Sequence, residues 1–85
     1  MSNQTEGQIT RDLVQYISEA LVDKPDQVAV SVIEGENSII LELKVAPDDV
    51  GKVIGKGGQT AKALRKILSA AATKLKKKSL LQIVE

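Results

Sequence analysis

The chain has 85 residues, enough for one domain with a modest core, and its composition excludes several classes of protein. It has no cysteine and no histidine, which excludes a disulfide framework and a thiolate metal site and removes the commonest acid–base catalyst and metal ligand. Tyr16 is the one aromatic residue, so bases cannot stack on a row of rings, and no apolar run approaches the roughly 20 residues of a membrane span. We expect a soluble cytoplasmic protein without a signal peptide, cofactor or metal ion.

The charge of the chain is distributed unevenly. The net charge is +1, but residues 1–50 carry ten acidic and three basic residues, and residues 51–85 carry nine basic residues and one acidic residue. This split concentrates positive potential on the elements after residue 50, as expected of a surface that binds nucleic acid. The alternative is a solvated basic helix face and loop.

The first half of the chain predicts a helix followed by a β-hairpin. Residues 1–8 are polar and are expected to be flexible, and a helix follows over residues 9–22. Its apolar stripe consists of Ile9, Leu13, Ile17 and Leu21, widened by Val14 and Ala20. Pro25 ends the helix, because proline disfavours helical geometry in the residue before it. Strands are predicted at 28–33 and 39–45, and the short turn between them indicates an antiparallel hairpin.

The second half predicts a short helix, a long helix and a closing strand. Pro47 and the acids after it suit a helix start, and this helix ends by Gly55. A long helix over residues 59–76 runs into a basic exit loop, and a strand follows over residues 79–85. The apolar stripe of the long helix consists of Ala61, Leu64, Leu68, Ala71 and Leu75, with Ile67 beside it.

The order helix, strand, strand, helix, helix, strand predicts an α+β fold, with a three-stranded sheet and three helices on one face. The last strand follows a helical crossover, so we expect it to pair parallel to one of the first two strands. Both alternations of the last strand contain apolar residues, so the sequence leaves its buried face open.

The informative segment is Gly51-Lys52-Val53-Ile54-Gly55-Lys56-Gly57-Gly58, which is basic, rich in glycine and placed between two helices. We call residues 55–58 the glycine loop. Glycines permit positive φ in a sharp reversal, let another backbone approach closely and leave N–H groups free at the start of the next helix, where the dipole favours anions. Lys56 adds a charge at the tip that can reach a phosphate.

Two other phosphate-binding motifs do not fit this segment. A nucleotide-binding P-loop needs four residues between its glycines and then Lys followed by Ser or Thr. Here Gly51 and Gly55 enclose three residues, and Lys56 is followed by Gly57. The dinucleotide fingerprint also fails, because its last glycine falls on Thr60 and the loop follows a helix. With no histidine or cysteine either, we expect no enzymatic activity.

A Gly-x-x-Gly loop between two helices resembles the signature of KH domains, which clamp about four nucleotides. The element order, with an extra helix and strand before the core, is similar to the type II KH arrangement of bacteria. Over residues 9–85 the chain resembles the KhpA family, small bacterial proteins made of one KH domain. The segments that carry this resemblance are residues 21–26, the hairpin, residues 45–49 and residues 51–56.

The resemblance implies that the chain grips single-stranded RNA. The implied RNA-binding residues are Lys52, Val53, Ile54, Gly55, Lys56, Gly57, Gly58, Lys62 and Arg65. The glycine loop would hold the sugar–phosphate backbone, the two aliphatic residues would line or support a groove for bases, and the last two cations would reach flanking phosphates. Ala61 stands where the KH pattern often has a branched aliphatic residue, which leaves the shape of the groove open.

Each of these assignments has a structural alternative. The glycine loop can be a plain turn between helices. Val53 and Ile54 can be core residues only, and Lys62 and Arg65 can belong to a solvated helix face.

The resemblance also implies partners. KhpA-like proteins form homodimers and associate with a second KH protein, KhpB, and they are linked to post-transcriptional regulation, to RNA-chaperone activity and to cell elongation and division. A second binding site would raise the modest affinity expected of one groove. The alternative function is a protein-interaction or dimerisation module that works with a second KH protein.

Overall fold

The computed structural model describes residues 5–84 and confirms the predicted α+β class and element order. The helices and strands are α1 Glu6–Leu21, β1 Ala29–Glu34, β2 Ser38–Lys44, α2 Val50–Ile54, α3 Gln59–Lys74 and β3 Lys78–Ile83. Short 3₁₀ turns cover Pro25–Gln27, Pro47–Asp49 and Lys56–Gly58. The first four residues of the segment predicted to be flexible, and Glu85 of the last predicted strand, lie outside the described residues.

The three strands form one mixed sheet in the order β1-β2-β3. β1 and β2 pair antiparallel, with Val32 opposite Leu41, which confirms the predicted hairpin. β3 pairs parallel to β2, with Leu41 opposite Leu81, so β2 is the partner that the sequence left unspecified. β2 is therefore the central strand, and its inward side chains Ile39, Leu41 and Leu43 are fully buried.

The helices cover one face of the sheet and leave the other face exposed. The alternation of β3 shows which side it buries: Leu81 is 3% exposed, whereas Leu80 is 50% exposed on the open face. Ile33 and Glu42 lie on that open face as well. One-sided packing thus decides between two alternations that look equally apolar in the sequence.

Helix α1 begins at Glu6, three residues earlier than predicted, because Thr5 and Gln8 form a capping box. The predicted apolar stripe of this helix is wrong in part. The residues that α1 buries against the sheet are Gly7, Thr10, Val14 and Ser18. Small side chains bring the helix close to the strands, and Ile9, Leu13 and Leu21 stay exposed at the surface.

Helix α3 ends at Lys74, two residues before its predicted end. The N–H of Lys76 bonds to Thr73 and the N–H of Lys77 bonds to the carbonyl of Ala72, which is the Schellman pattern. Lys76 occupies the left-handed position of this motif, with φ of 60°.

Lys77, in the predicted basic exit loop, is a structural residue. Its side chain is 15% exposed, and its ammonium lies 3.2 Å from Glu34 and 3.8 Å from Glu6. This cluster joins the end of β1 to the starts of α1 and β3.

Candidate nucleic-acid interface

The glycine loop makes a sharp reversal between α2 and α3 that depends on positive φ. Gly55 has φ of 80°, and a side chain at this position would run into Thr60. Gly57 and Gly58 have φ of 63° and 75°, and nothing lies near the place where their Cβ atoms would be. Gly55 is therefore required both by its conformation and by the space around it, whereas the other two are required by conformation alone.

The loop delivers the chain directly into the N-terminus of α3. Gly58 is the N-cap residue, and no side chain of the described residues caps the helix there. The N–H groups of the first turn and the helix dipole both favour an anion at this point. Lys56, at the tip of the loop, is exposed and forms no ion pair within residues 5–84. Backbone donors and a cation thus stand side by side.

A groove runs from the glycine loop between α3 and β3. Its first part is a recess of about 290 Å³, lined by Ile54, Gly58, Ala61, Lys62, Arg65 and Ile83. Four of these residues belong to the predicted RNA-binding set. Ile83 was missed, because its place beside α3 depends on the parallel return of β3. Ala61, noted as a departure from the KH pattern, leaves the room that a larger side chain would fill.

Arg65 crosses the groove from α3 to the edge strand. Its Nη2 atom donates to the carbonyl oxygen of Leu81 at 3.3 Å. Beyond it lies a second recess of about 210 Å³, lined by Arg65, Leu68, Ser69, Ser79, Leu80 and Leu81. Arg65 therefore separates the part of the groove next to the glycine loop from the part further along α3.

The aliphatic pair before the loop is divided between core and surface. Val53 is fully buried, so it supports α2 from beneath and has no surface to offer a ligand. Ile54 is half-buried and lines the recess.

Among the predicted cations, Lys52 alone has acidic partners within residues 5–84. Its ammonium lies 3.1 Å from Asp23 and 3.5 Å from Asp49. The hydrogen bond and charge of Asp23, together with Asp49, hold the pKa of Lys52 above its ordinary value. We call Asp23, Asp49 and Lys52 the anchor, because they tie the segment after α1 to the start of α2. A contact between Lys52 and RNA stays a prediction.

Asp49 is the buried centre of the anchor, with 1% of its surface exposed. Burial alone would raise its pKa, but hydrogen bonds from the backbone N–H groups of Asp23 and Lys24 and the charge of Lys52 outweigh that effect and lower it. The sequence explained Asp49 as an acid at a helix start. Its hydrogen-bond partners Asp23 and Lys24 precede it by 26 and 25 positions, so local sequence could not reveal these bonds.

The described residues contain no group of three or more acidic, cysteine or histidine side chains that could hold a metal ion. Within residues 5–84, no helix is both long and apolar enough to cross a membrane.

A Gly-x-x-Gly loop between a short and a long helix, packed on a mixed three-stranded sheet and opening into a groove, defines the class of KH domains. The family model described as KhpA/KhpB, KH domain, matches residues 11–83. The chain belongs to this family, whose members are not enzymes.

Curated relatives carry the name RNA-binding protein KhpA. The relative from Clostridium perfringens is 54% identical over 74 residues, which is 87% of this chain and 99% of that protein. The relative from Halalkalibacterium halodurans is 53% identical over 75 residues, or 88% of this chain and 99% of that protein. The relative from Aquifex aeolicus is 47% identical over 75 residues, or 88% of this chain and 95% of that protein.

Two solved structures share the fold at low sequence identity. Era of Aquifex aeolicus bound to GDP and AlF4⁻ matches with a TM-score of 0.64 and 20% identity, over 96% of this chain and 31% of that one. Era in complex with MgGDPNP and nucleotides 1506–1542 of 16S ribosomal RNA matches with a TM-score of 0.63 and 18% identity, over 96% of this chain and 32% of that one. The likeness concerns the fold of about one third of Era.

Proposed function

We propose that this protein binds single-stranded RNA, with the glycine loop on the sugar–phosphate backbone and the adjoining groove on the bases. One observation carries the proposal: Gly58 is at once part of the loop, the uncapped start of α3 and a wall of the recess. A strand whose phosphate lies at the loop therefore has its neighbouring base at the mouth of the groove. The name of the curated relatives agrees with this ligand.

The charges around the groove support the same ligand. Lys62 and Arg65 line the recess, Lys56 lies at its loop end, and no acidic side chain of residues 5–84 belongs to the lining. Each phosphate contact on a single strand contributes about 0.7 to the slope of log affinity against log salt. We expect modest affinity that falls as salt rises, and shallow sequence reading because the groove holds about four nucleotides. With RNA as the ligand, we propose that the protein acts in the cytoplasm as a post-transcriptional regulator or RNA chaperone.

The test is a fluorescence-anisotropy titration of short single-stranded RNAs at two salt concentrations. The variant Lys56→Asp/Gly57→Asp reverses the charge of the loop tip, and aspartate tolerates the left-handed conformation at an open position. The matched control Lys78→Asp/Asn37→Asp makes the same change in net charge beside the C-terminal end of α3, about 24 Å along the helix. We expect the loop variant to lose binding and the control to retain it, with circular dichroism showing both folded. Equal binding by the two variants would contradict the proposal.

A second function, self-association, is favoured by the apolar surface of the helical layer. Exposed apolar side chains of this layer are Ile9, Leu13, Tyr16 and Leu21 on α1 and Ile67 on α3. The exposed charges of α1 are mostly acidic and those of α3 are basic. If a second copy of the chain packs its α1 against this α3, apolar side chains meet apolar side chains and the acids of α1 meet the bases of α3. We propose a homodimer of this kind, and a KhpB-like protein as an additional partner of the same surface.

Sedimentation equilibrium tests the dimer with two exposed isoleucines. Ile67→Glu lies in the proposed interface, and Ile33→Glu places the same change on the open face of the sheet, where Ile33 is 68% exposed. We expect Ile67→Glu to sediment as a monomer and Ile33→Glu to behave like the wild type. A wild-type protein that is monomeric at all concentrations would refute this second function without affecting RNA binding.

A further inference from the structure

The second recess, beyond Arg65, is a part of the groove to which the contacts described so far assign no ligand. Arg65 lines both recesses, so the two adjoin along α3. The second has a volume of about 210 Å³ and the first about 290 Å³, so they are similar in size. An RNA strand that leaves the first recess in the direction of α3 therefore reaches the second one next.

The outer edge of β3 supplies backbone hydrogen-bonding groups to both recesses. Within the described sheet β3 is an edge strand, paired with β2 on one side only. The N–H groups of Lys78 and Val84 bond to carbonyls in and beside β2 at 2.9 Å each. By the alternation of a strand, the odd-numbered residues between them direct their N–H and C=O groups to the outer edge.

The outward-facing residues of β3 are divided between the two recesses. Ile83 lines the first recess and Ser79 lines the second, and Arg65 donates to the Leu81 carbonyl between them at 3.3 Å. Four residues of a strand span about 13 Å. Stacked neighbours in one nucleic-acid strand are only about 3.4 Å apart along the axis. One base cannot reach both positions, so the second recess needs a different nucleotide of the same strand.

The lining of the second recess suits a base better than a phosphate. The buried side chains of Leu68 and Leu81 lie beneath it, and the hydroxyls of Ser69 and Ser79 can each donate and accept a hydrogen bond. Among residues 5–84, Arg65 at its border is the one cation of the lining, and no acidic side chain belongs to it. A base can pack on the apolar part and bond to the hydroxyls with its polar edge.

We propose that the second recess binds a further nucleotide, so that the RNA footprint continues past Arg65 and exceeds the roughly four nucleotides of a KH groove. This inference rests on the proposed RNA binding. The hydroxyls and the backbone groups of Ser79 offer both donors and acceptors, so the added contacts accept any of the four bases. The length of the RNA therefore contributes to affinity independently of its sequence.

Oligouridylates of four and six nucleotides provide the test, because they share one base and differ in length. A site for four nucleotides can bind the hexamer in several registers, which by itself raises affinity about threefold. In anisotropy titrations we expect the wild type to bind the hexamer more than about tenfold more tightly than the tetramer, because the second recess adds hydrogen bonds and apolar contact.

Ser69→Leu closes the second recess with a branched apolar side chain that a helix accommodates well. The advantage of the hexamer should fall to the register effect of about threefold, and the affinity for the tetramer should stay at its wild-type value. Thr73→Leu is the matched control, because it adds a similar side chain one turn further along α3, at an exposed residue outside the lining. It should retain the full advantage of the hexamer.

The outcomes separate this inference from the function on which it rests. A wild-type advantage of only about threefold, or a larger one that survives Ser69→Leu, overturns the inference and leaves RNA binding intact. An equal loss in Thr73→Leu, or an equal loss of tetramer and hexamer affinity in Ser69→Leu, also overturns it. Failure to bind either oligonucleotide overturns both. If circular dichroism shows Ser69→Leu to be unfolded, Ser79→Val fills the recess from the strand side, and the same results are required of it.

Discussion

Lys52 and Lys56 lie four residues apart in one basic stretch, and the structure gives them opposite surroundings. Lys52 belongs to the anchor, 3.1 Å from Asp23 and 3.5 Å from Asp49. Lys56 stands at the tip of the glycine loop and has no ion pair within the described residues. A lysine that already has acidic partners gains less from a phosphate than one that has none. We therefore expect mutations in the glycine loop to lower RNA affinity and mutations in the anchor to lower stability.

The largest effect is expected at Gly55, where the loop joins α2. Gly55→Ala forces a side chain into a conformation with φ of 80° and against Thr60. We expect the free energy of unfolding to fall by about 2 kcal/mol, Tm to fall by about 10 °C, and RNA affinity to fall more than tenfold. Gly57→Ala, at an open position of the same loop, should cost less on both scales. Thermal melts and anisotropy of the two variants check this. Equal effects would show that the contact with Thr60 adds nothing to the loss of stability or affinity.

The two lysines should separate binding from stability. Lys56→Met should lower RNA affinity and reduce the salt slope by about 0.7, with Tm unchanged, because it removes one phosphate contact and no internal partner. Lys52→Met should lower Tm by about 4 °C, because it leaves Asp49 buried with one partner fewer, and should change RNA affinity by less than about twofold. A large affinity loss in Lys52→Met at a temperature where it is folded would place the anchor within the binding site.

The anchor should also give the protein a characteristic dependence on pH. The pKa of Asp49 is lowered in the folded state, so its contribution to stability is present above the ordinary aspartate value of about 3.9 and is lost as pH falls through the lower folded value. The pKa of Lys52 is raised, so its contribution is present below about 10.4 and is lost as pH rises through the higher folded value. Between these two limits Asp49 and Lys52 are both charged, and both contributions to stability are present.

Thermal melts of the wild type and of Asp49→Asn from neutral to acidic pH measure this contribution. Asp49→Asn should melt at a lower temperature than the wild type at neutral pH, by about 5 °C, and the two Tm values should converge in acid. A constant difference across the whole range would mean that the charge of Asp49 contributes nothing.

The smallest effect is expected at Lys76, outside both regions. Lys76 holds φ of 60° at the end of α3, a conformation that glycine adopts without strain. Lys76→Gly should raise stability by about 0.5 kcal/mol, or about 3 °C in Tm, with RNA affinity within about twofold of the wild type. Lys74→Gly, inside the last turn of the helix, should instead lower stability by about 1 kcal/mol. Both variants remove one lysine, so opposite changes in stability would come from the backbone conformation and not from the lost charge.

Local chemistry made much of this fold predictable. The alternation around Leu41 and Leu43 specifies a strand with one buried face, and Pro47 and Gly55 mark the start and end of a short helical segment. The glycine loop was recognisable because positive φ at consecutive positions requires the residue type itself. These features depend on neighbours within a few residues, so one sequence carries enough information to place them.

The candidate site was predictable where it coincides with that loop, and less so beyond it. Ile54 lies in the lining of the groove, where the sequence placed it, and so do Lys62 and Arg65, whose predicted contacts with flanking phosphates stay predictions. Val53 is buried beneath it, and Ile83 was missed because the strand that carries it comes from the far end of the chain. Charge was the least reliable guide, since Lys77 in the basic exit loop proved to pair with Glu34 and Glu6.

The sequence by itself determined the element order, the class of fold and the glycine loop, because helical and strand periods and turn chemistry are local properties. Only the tertiary structure decided which face of β3 is buried, which side of α1 meets the sheet and which of the described cations pair with acids of the chain. Those choices depend on which surfaces meet across the sheet and on acids far away in sequence, as with Asp23 beside Lys52. Arg65 meeting the Leu81 carbonyl is of the same kind, because a backbone acceptor has no side chain to reveal it.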